Sequence, residues 1–186
     1  MPNIDRRAVM KDAALGMLSF SIGGTEILLT PRQARAQAAA FRTLRTEEAE
    51  TLEALGEILL PSARDSGIAH FVDQQVSGAP VDCLLMARIA NVKPPFINFY
   101  RASLAAIDGA SLAAHQRQFA QLTATEQHAF VDRMRQNKLD GWKGPTQPFV
   151  YFITRQDAVD VVYGTVDGFK KLDIPYMAHI QPAARW

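Results

Sequence analysis

Histidines are the side chains through which this chain could most readily perform acid–base or metal chemistry. There are four of them, His70, His115, His128 and His179, and they lie in four separate segments. Metal sites and catalytic dyads need such groups close together, and this spacing does not supply that. The neighbours of His115 and His128 are rich in Gln and Arg, which favours a surface position. His70 stays open between a core role and a ligand role.

A carboxylate pair and two serines complete the search for catalytic groups. Asp157 and Asp160 are three residues apart on a predicted helix, but no histidine or further acid stands at matching spacing, so a solvated helix face is favoured. Ser103 and Ser111 lack the strand-to-helix turn that exposes a nucleophilic serine. The sequence also lacks a dinucleotide fingerprint and a phosphate-binding loop. We therefore predict that the chain is not an enzyme and binds no cofactor or metal itself.

Cys83 is the only cysteine in the chain. A single cysteine excludes an internal disulfide and any cysteine-clustered zinc or iron–sulfur site. It lies in the apolar run 81–86, which favours burial as a small hydrophobic side chain. The alternative is a thiol that forms a disulfide with another chain.

The N-terminal segment has the three-part order of a twin-arginine export signal. Arg6 and Arg7, with Lys11 behind them, precede a mildly apolar stretch over 13–29 and a small-residue run over 34–40. Glycines and a glutamate interrupt the apolar stretch, so it falls short of a membrane-spanning helix. The twin-arginine route exports proteins that are already folded, which predicts a bacterial periplasmic location.

Cleavage of this signal is expected after Ala36, with Ala34 and Ala36 as the small pair that a signal peptidase selects. Ala36 and Ala38 would serve equally well as the small pair. Retention of the uncleaved segment stays open as a third outcome. We call residues 1–36 the leader.

The remainder of the chain has the size of a single domain and is close to electrical neutrality. It shows no basic patch for nucleic acid and no basic run for an anionic membrane surface. Nucleic acid and an anionic membrane surface are therefore not expected as direct partners of this chain.

Helical periodicity runs through the body of the chain. The clearest local signal is the capping box Thr123 to Glu126, and Pro61 and Gly164 end two other helices. Asp108-Gly109 predicts a break in a long helix, and no strand pattern is longer than a few residues. The predicted helices cover 46–60, 68–76, 94–107, 112–122, 123–134 and 149–163, and 83–90 is predicted as a further helical or coil segment. The predicted fold is a small, irregular all-α domain over 46–164, with a linker over 37–45 and an extended C-terminal tail over 165–186.

The tail is rich in aromatic residues, and leaving it in water would be costly. Tyrosine, tryptophan and arginine also dominate the energetics of protein interfaces. We therefore predict that the tail contacts a partner, with packing on its own domain as the alternative. The residues assigned to this contact are Tyr163, Phe169, Pro175, Tyr176, His179 and Trp186.

Three features together resemble the gluconate 2-dehydrogenase subunit 3 family. They are the twin-arginine leader, the opening helix over 46–61, and a tail that runs from Tyr163-Gly164 through Ile174-Pro175-Tyr176 to Trp186. Near the end, where the family often has Gly-Tyr-Pro-Gly, this chain has Asp173-Ile174-Pro175-Tyr176. The resemblance covers essentially the whole chain, and it leaves the substrate open among gluconate, glucose, fructose, sorbitol and others.

The resemblance implies a non-catalytic small subunit of a membrane-associated, FAD-dependent sugar or polyol dehydrogenase complex. Such a subunit binds the catalytic flavoprotein, helps it to mature, and carries the signal that the twin-arginine translocase recognises. FAD, an iron–sulfur cluster and haem c are then expected in partner subunits, one of which is a cytochrome c that anchors the complex peripherally on the periplasmic side of the inner membrane.

Two other functions stay open at this point. One is a self-sufficient periplasmic helical protein that binds a small ligand or metal through His70 and His179. The other is a transient assembly chaperone that leaves the enzyme after export. Copurification with active dehydrogenase separates both from a resident subunit.

Overall fold

The protein is mostly helical, as predicted, with one small sheet in addition. A computed structural model describes residues 17–173. Its strands are β1 (Leu18–Ile22) and β2 (Thr25–Leu29). Its α-helices are α1 (Pro31–Ala36), α2 (Thr46–Leu59), α3 (Ile68–Ser77), α4 (Met86–Ile89), α5 (Ile97–His115), α6 (Ala124–Arg135), α7 (Gln147–Tyr163) and α8 (Val166–Lys171). Short 3-10 turns occupy Pro80–Asp82 and Phe119–Gln121.

Helix α2 lies at the centre of the core and contacts α3, α5, α6 and α7. Leu52, Ala54 and Leu55 are fully buried, so more than one side of this helix faces other elements. Gly56 allows α3 to approach closely, because a Cβ placed on it would lie 2.9 Å from the Ile68 side chain. The central position of α2 explains why its sequence is apolar on more than one face.

The predicted break at Asp108-Gly109 is wrong, because α5 continues to His115. The Asp108 carboxylate accepts hydrogen bonds from the Thr51 hydroxyl (3.0 Å) and from the Phe119 backbone N–H (3.0 Å). The segment predicted as a separate helix over 112–122 is therefore the last turn of α5 followed by a 3-10 turn. Helix α5 also begins at Ile97 rather than at Pro94.

Residues 18–36 form a hairpin and a helix that the sequence analysis did not predict. Strands β1 and β2 pair antiparallel in the register Leu18↔Leu29, and Gly23 and Gly24 take positive φ in the two-residue turn between them. Helix α1 starts with a capping box, in which the Thr30 hydroxyl accepts from the Gln33 N–H and the Gln33 side chain accepts from the Thr30 N–H. This local turn and cap chemistry lies inside the leader.

The sequence predicted an extended C-terminal segment from residue 165 onwards. This prediction is wrong for residues 166–171, which form helix α8. Helix α8 follows α7 almost directly, and the Thr165 hydroxyl accepts a hydrogen bond from the Gly168 N–H (3.0 Å). Gly168 allows α8 to approach the end of α7 closely, because a Cβ at this position would lie 2.5 Å from the carbonyl oxygen of Val162. No helix within residues 17–173 has both the length and the apolarity to cross a bilayer.

The linker predicted over 37–45 is held firmly against α3. The buried carboxylate of Asp73 accepts three backbone N–H groups, from Arg42 (2.8 Å), Thr43 (2.8 Å) and Leu44 (2.7 Å). Buried backbone donors need such acceptors, since an unpaired group is costly. Asp73 therefore fixes the path by which the chain enters α2.

We expect Asp73→Ala to lower the free energy of unfolding by about 3 kcal/mol, because three N–H groups lose a charged acceptor. Asp73→Asn should cost less, since its carbonyl oxygen keeps part of this bonding. Urea unfolding measures both. The control is Asp65→Ala, which removes a carboxylate of 71% side-chain exposure in a surface ion pair with Arg35. An Asp73→Ala effect no larger than that of the control contradicts the assignment.

Candidate functional site

Three exposed aliphatic side chains mark the segment 79–90 between α3 and α5, which we call the docking loop. Val81, Leu84 and Ile89 expose 71%, 60% and 68% of their surface. They are the most exposed large hydrophobic residues in the described part of the chain. Single exposed aliphatics are ordinary, but three within nine residues indicate a surface that another molecule covers.

The docking loop is anchored, not loose. Cys83, Leu85 and Ala87, which lie between the exposed aliphatics in the sequence, are buried in the core. The Leu84 N–H donates to the side-chain oxygen of the buried Gln75 on α3 (2.7 Å). The loop therefore presents its apolar side chains from a backbone held at several points.

A second anchor comes from Asp157 on α7, which is completely buried. Its carboxylate accepts hydrogen bonds from the Met86 N–H of the loop (3.0 Å) and from the Tyr100 hydroxyl on α5 (2.6 Å). Burial raises the pKa of Asp157 to about 7, although both hydrogen bonds oppose this rise. Burial also raises the pKa of the Tyr100 hydroxyl well above its usual value. One carboxyl thus joins α5, α7 and the loop.

The prediction that Asp157 and Asp160 share a solvated face is wrong for Asp157. Asp160 is exposed, as predicted, but Asp157 lies inside the core between buried aliphatic residues of α7. Sequence spacing alone could not reveal this, because its principal partner Tyr100 stands far away along the chain. The available signal was the apolar residue four positions away on each side, Ile153 and Val161, since these share a helix face with Asp157.

Cys83 is buried, as its apolar neighbourhood predicted. Burial raises the pKa of its thiol, so the thiolate form is disfavoured. A thiol in this position does not support the alternative of a disulfide with another chain.

His70 is a core residue on α3. Its Nε2–H donates to the Ala39 carbonyl oxygen (3.1 Å), and its ring packs against Phe41 with 4.6 Å between ring centroids. Burial lowers the pKa of His70, so the neutral imidazole is favoured, and among residues 17–173 its Nδ1 has no hydrogen-bond partner. The ring borders an open cleft of about 810 Å³ whose rim carries Arg45 and Glu53. The burial of His70 does not favour the ligand role that the sequence left open.

The other candidate catalytic groups are dispersed or engaged. His128 is exposed on α6, and His115 is half-buried at the end of α5. The hydroxyls of Ser103 and Ser111 donate to the carbonyl oxygens of Phe99 (2.7 Å) and Arg117 (2.8 Å). Over residues 17–173, no group of three or more His, Cys, Asp or Glu side chains is placed to hold a metal ion.

The residues predicted for export and partner binding are only partly within the described range. Tyr163 and Phe169 are half-buried, at the end of α7 and within α8. Ala34 is buried and Ala36 is exposed, both within α1. The remaining members of the two sets lie outside the described residues, and they are Arg6, Arg7, Lys11, Pro175, Tyr176, His179 and Trp186.

Comparison with known proteins gives one match. The model of the family described as Gluconate 2-dehydrogenase subunit 3 matches residues 46–176, which is more than half of the chain. No curated protein and no solved structure matches the chain.

The buried carboxyl of Asp157 predicts a pH-dependent stability. In the folded chain it keeps its proton up to about pH 7, whereas an ordinary aspartate has a pKa of 3.8. Between these values the folded state binds more protons, so its stability falls as pH rises, by up to about 1.4 kcal/mol per pH unit. Asp157→Asn cannot ionise. The unfolding free energy of Asp157→Asn should therefore increase relative to that of the wild type as pH rises towards neutrality.

Urea unfolding of both proteins at several values from about pH 4.5 to 8 measures this difference, in which contributions from other groups cancel. Asp140→Asn, which removes a fully exposed carboxylate, is the control. Parallel stability curves for the wild type and Asp157→Asn would show that the carboxyl titrates as an ordinary one.

Proposed function

The chain belongs to the gluconate 2-dehydrogenase subunit 3 family, and we propose that it is the non-catalytic small subunit of a periplasmic, membrane-associated, FAD-dependent sugar or polyol dehydrogenase. The family match carries this proposal, since it spans the docking loop and every helix from α2 to α8. In the proposed complex, FAD is held by the catalytic subunit, and an iron–sulfur cluster and haem c are held by partner subunits.

The docking loop is the proposed contact with the FAD-containing catalytic subunit. A family named for one subunit of a dehydrogenase implies a partner chain, and the three exposed aliphatics of the loop supply apolar area for it. Burying each such side chain is favourable by roughly 1.5–3 kcal/mol. The buried anchors Gln75 and Asp157 hold the loop in place before binding, so little ordering is required when the partner arrives.

The C-terminal tail is the proposed second contact. The family match continues to residue 176, beyond α8, and so includes Pro175 and Tyr176. Aromatic anchors such as Tyr176 and Trp186 can dominate an interface. Tyr163 and Phe169, being half-buried, stand at the base of this segment and join it to the helical body.

Export is the proposed second task of the chain. Flavin is loaded in the cytoplasm, and the twin-arginine translocase then moves the folded pair through the signal of this chain alone. The recognised residues would be Arg6 and Arg7, with Lys11 behind them. A small subunit that binds the flavoprotein before export thereby acts in its maturation as well.

We expect the triple variant Val81→Ser, Leu84→Ser, Ile89→Ser to lose copurification with the catalytic subunit while its melting temperature stays within a few degrees of wild type. The matched control is Leu112→Ser with Phe152→Ser, which changes aliphatic and aromatic side chains of 47% and 44% exposure on other helices. This control should bind normally. Deletion of residues 174–186 forms a third arm. If only the deletion abolishes binding, the catalytic subunit docks on the tail and not on the docking loop.

We expect Arg6→Lys with Arg7→Lys to leave both this chain and the catalytic subunit in the cytoplasm. Lysine keeps the charge but loses the planar guanidinium, so the variant tests recognition instead of electrostatics. Cell fractionation with a dehydrogenase assay gives the result, and Arg32→Lys, at an exposed position of α1, is the control for a charge-conserving change in the leader. Normal periplasmic activity of the catalytic subunit in the double variant would refute export through this chain.

A further inference from the structure

Hydrophobic burial joins the leader to the body of the protein. Phe20, Leu29, Ala34 and Ala39 form a second buried cluster, which we call the leader cluster. Phe20 is the largest of these side chains, and its ring meets the edge of His70 on α3 with 6.2 Å between centroids. Ala39 lies beyond the expected cleavage point, so the cluster contains residues from both sides of it. Cleavage would divide this cluster.

Backbone contact also fixes α1 against the body. Gly67 precedes α3 with φ of +83°, and a Cβ placed on it would lie 2.2 Å from the Pro31 carbonyl oxygen. Only glycine allows two backbones to come so close. The start of α3 is therefore shaped to receive the start of α1.

Ion pairs cross the same boundary. The Arg35 Nε of α1 lies 3.2 Å from Glu53 Oε1 of α2, in a pair whose side chains are mostly shielded from water. On the other side of the expected cleavage point, Arg42 donates to the Ser19 carbonyl oxygen (3.3 Å) and pairs with Glu26. These contacts orient the hairpin and α1 on the domain.

The bond after Ala36 is held in a folded environment. The methyl group of Ala34, which a peptidase would have to select, is fully buried. The Ala34 carbonyl oxygen accepts a hydrogen bond from the Ala39 N–H (2.9 Å), across the expected cleavage point. Proteases act on segments that can unfold locally, so cleavage here requires α1 to leave the domain first.

We infer that residues 18–36 are a permanent part of the folded domain and that the bond after Ala36 is not processed, so that the twin-arginine segment stays attached after export. The inference rests on the proposed function in one respect: export by a translocase that accepts folded proteins means that α1 is docked before any peptidase meets it.

The first test is the intact mass of the exported full chain, purified from the periplasmic side with its partner. A protein that retains Arg6 and Arg7 together with residues 18–36 supports the inference, and one that has lost residues 1–17, or that begins at Gln37 or Ala39, overturns it. Gly67→Ala places a Cβ against Pro31 and should release α1, which converts a large fraction of the exported chain to the cleaved form. Gly78→Ala, at the other end of α3, meets no atom closer than 3.8 Å and should stay intact.

The second test is independent of export and uses the purified full chain. Hydrogen exchange at the Ala39 amide, which donates to Ala34, should be slowed at least about a hundredfold relative to an unstructured amide. Exchange at the unstructured rate overturns the inference. If the chain never reaches the periplasm, the export proposal fails, and the exchange rate alone then decides whether the leader belongs to the domain.

Discussion

Buried side chains that accept hydrogen bonds from loop backbone are the constraint on which this structure depends. A helical domain with long connections has many backbone N–H groups outside its helices, and each buried one needs an acceptor. Asp73 serves the chain entering α2, Gln75 and Asp157 serve the docking loop, and the half-buried Asp108 serves the turn after α5. Gln147 acts in the same way, because its side chain accepts a hydrogen bond from the Leu139 N–H and donates one to the Leu139 carbonyl oxygen.

These acceptors connect the fold to the proposed function. A loop with exposed aliphatics and no internal helix of useful length would ordinarily be mobile, and ordering it on binding would cost affinity. In this chain the entropic cost of ordering the loop has already been met during folding, because Gln75 and Asp157 fix its backbone from the core. The cost appears in Asp157, whose burial raises its pKa, so that the stability contributed by this group is expected to fall as pH rises from about 4 to about 7.

The N-terminal segment is also held on the domain, in this case by hydrophobic burial. Residues 18–36 include part of the apolar stretch and the start of the small-residue run of the predicted export signal, yet they also form a Gly-Gly hairpin turn, a capping box and most of the leader cluster. Under the proposed function the two roles are compatible, because a translocase that accepts folded proteins does not require this segment to be unfolded.

Local signals in the sequence determined the family, the helical class and the helices with strong caps. The capping box from Thr123 to Glu126 is formed as predicted, and α2, α3 and α7 lie close to their predicted bounds. Such features depend on residues within four positions of one another, which a single sequence displays directly.

Tertiary structure alone decided the rest, because it depends on partners distant in the chain. From the sequence, Asp108 was predicted to break a helix and Asp157 to be solvated. In the folded chain, Asp108 forms hydrogen bonds with Thr51 and Phe119, and Asp157 forms one with Tyr100. The exposure of Val81, Leu84 and Ile89 likewise depends on which elements leave them uncovered. The sequence displays the hydrogen-bonding capacity and apolar area of each side chain, but only the folded chain determines which partner uses them.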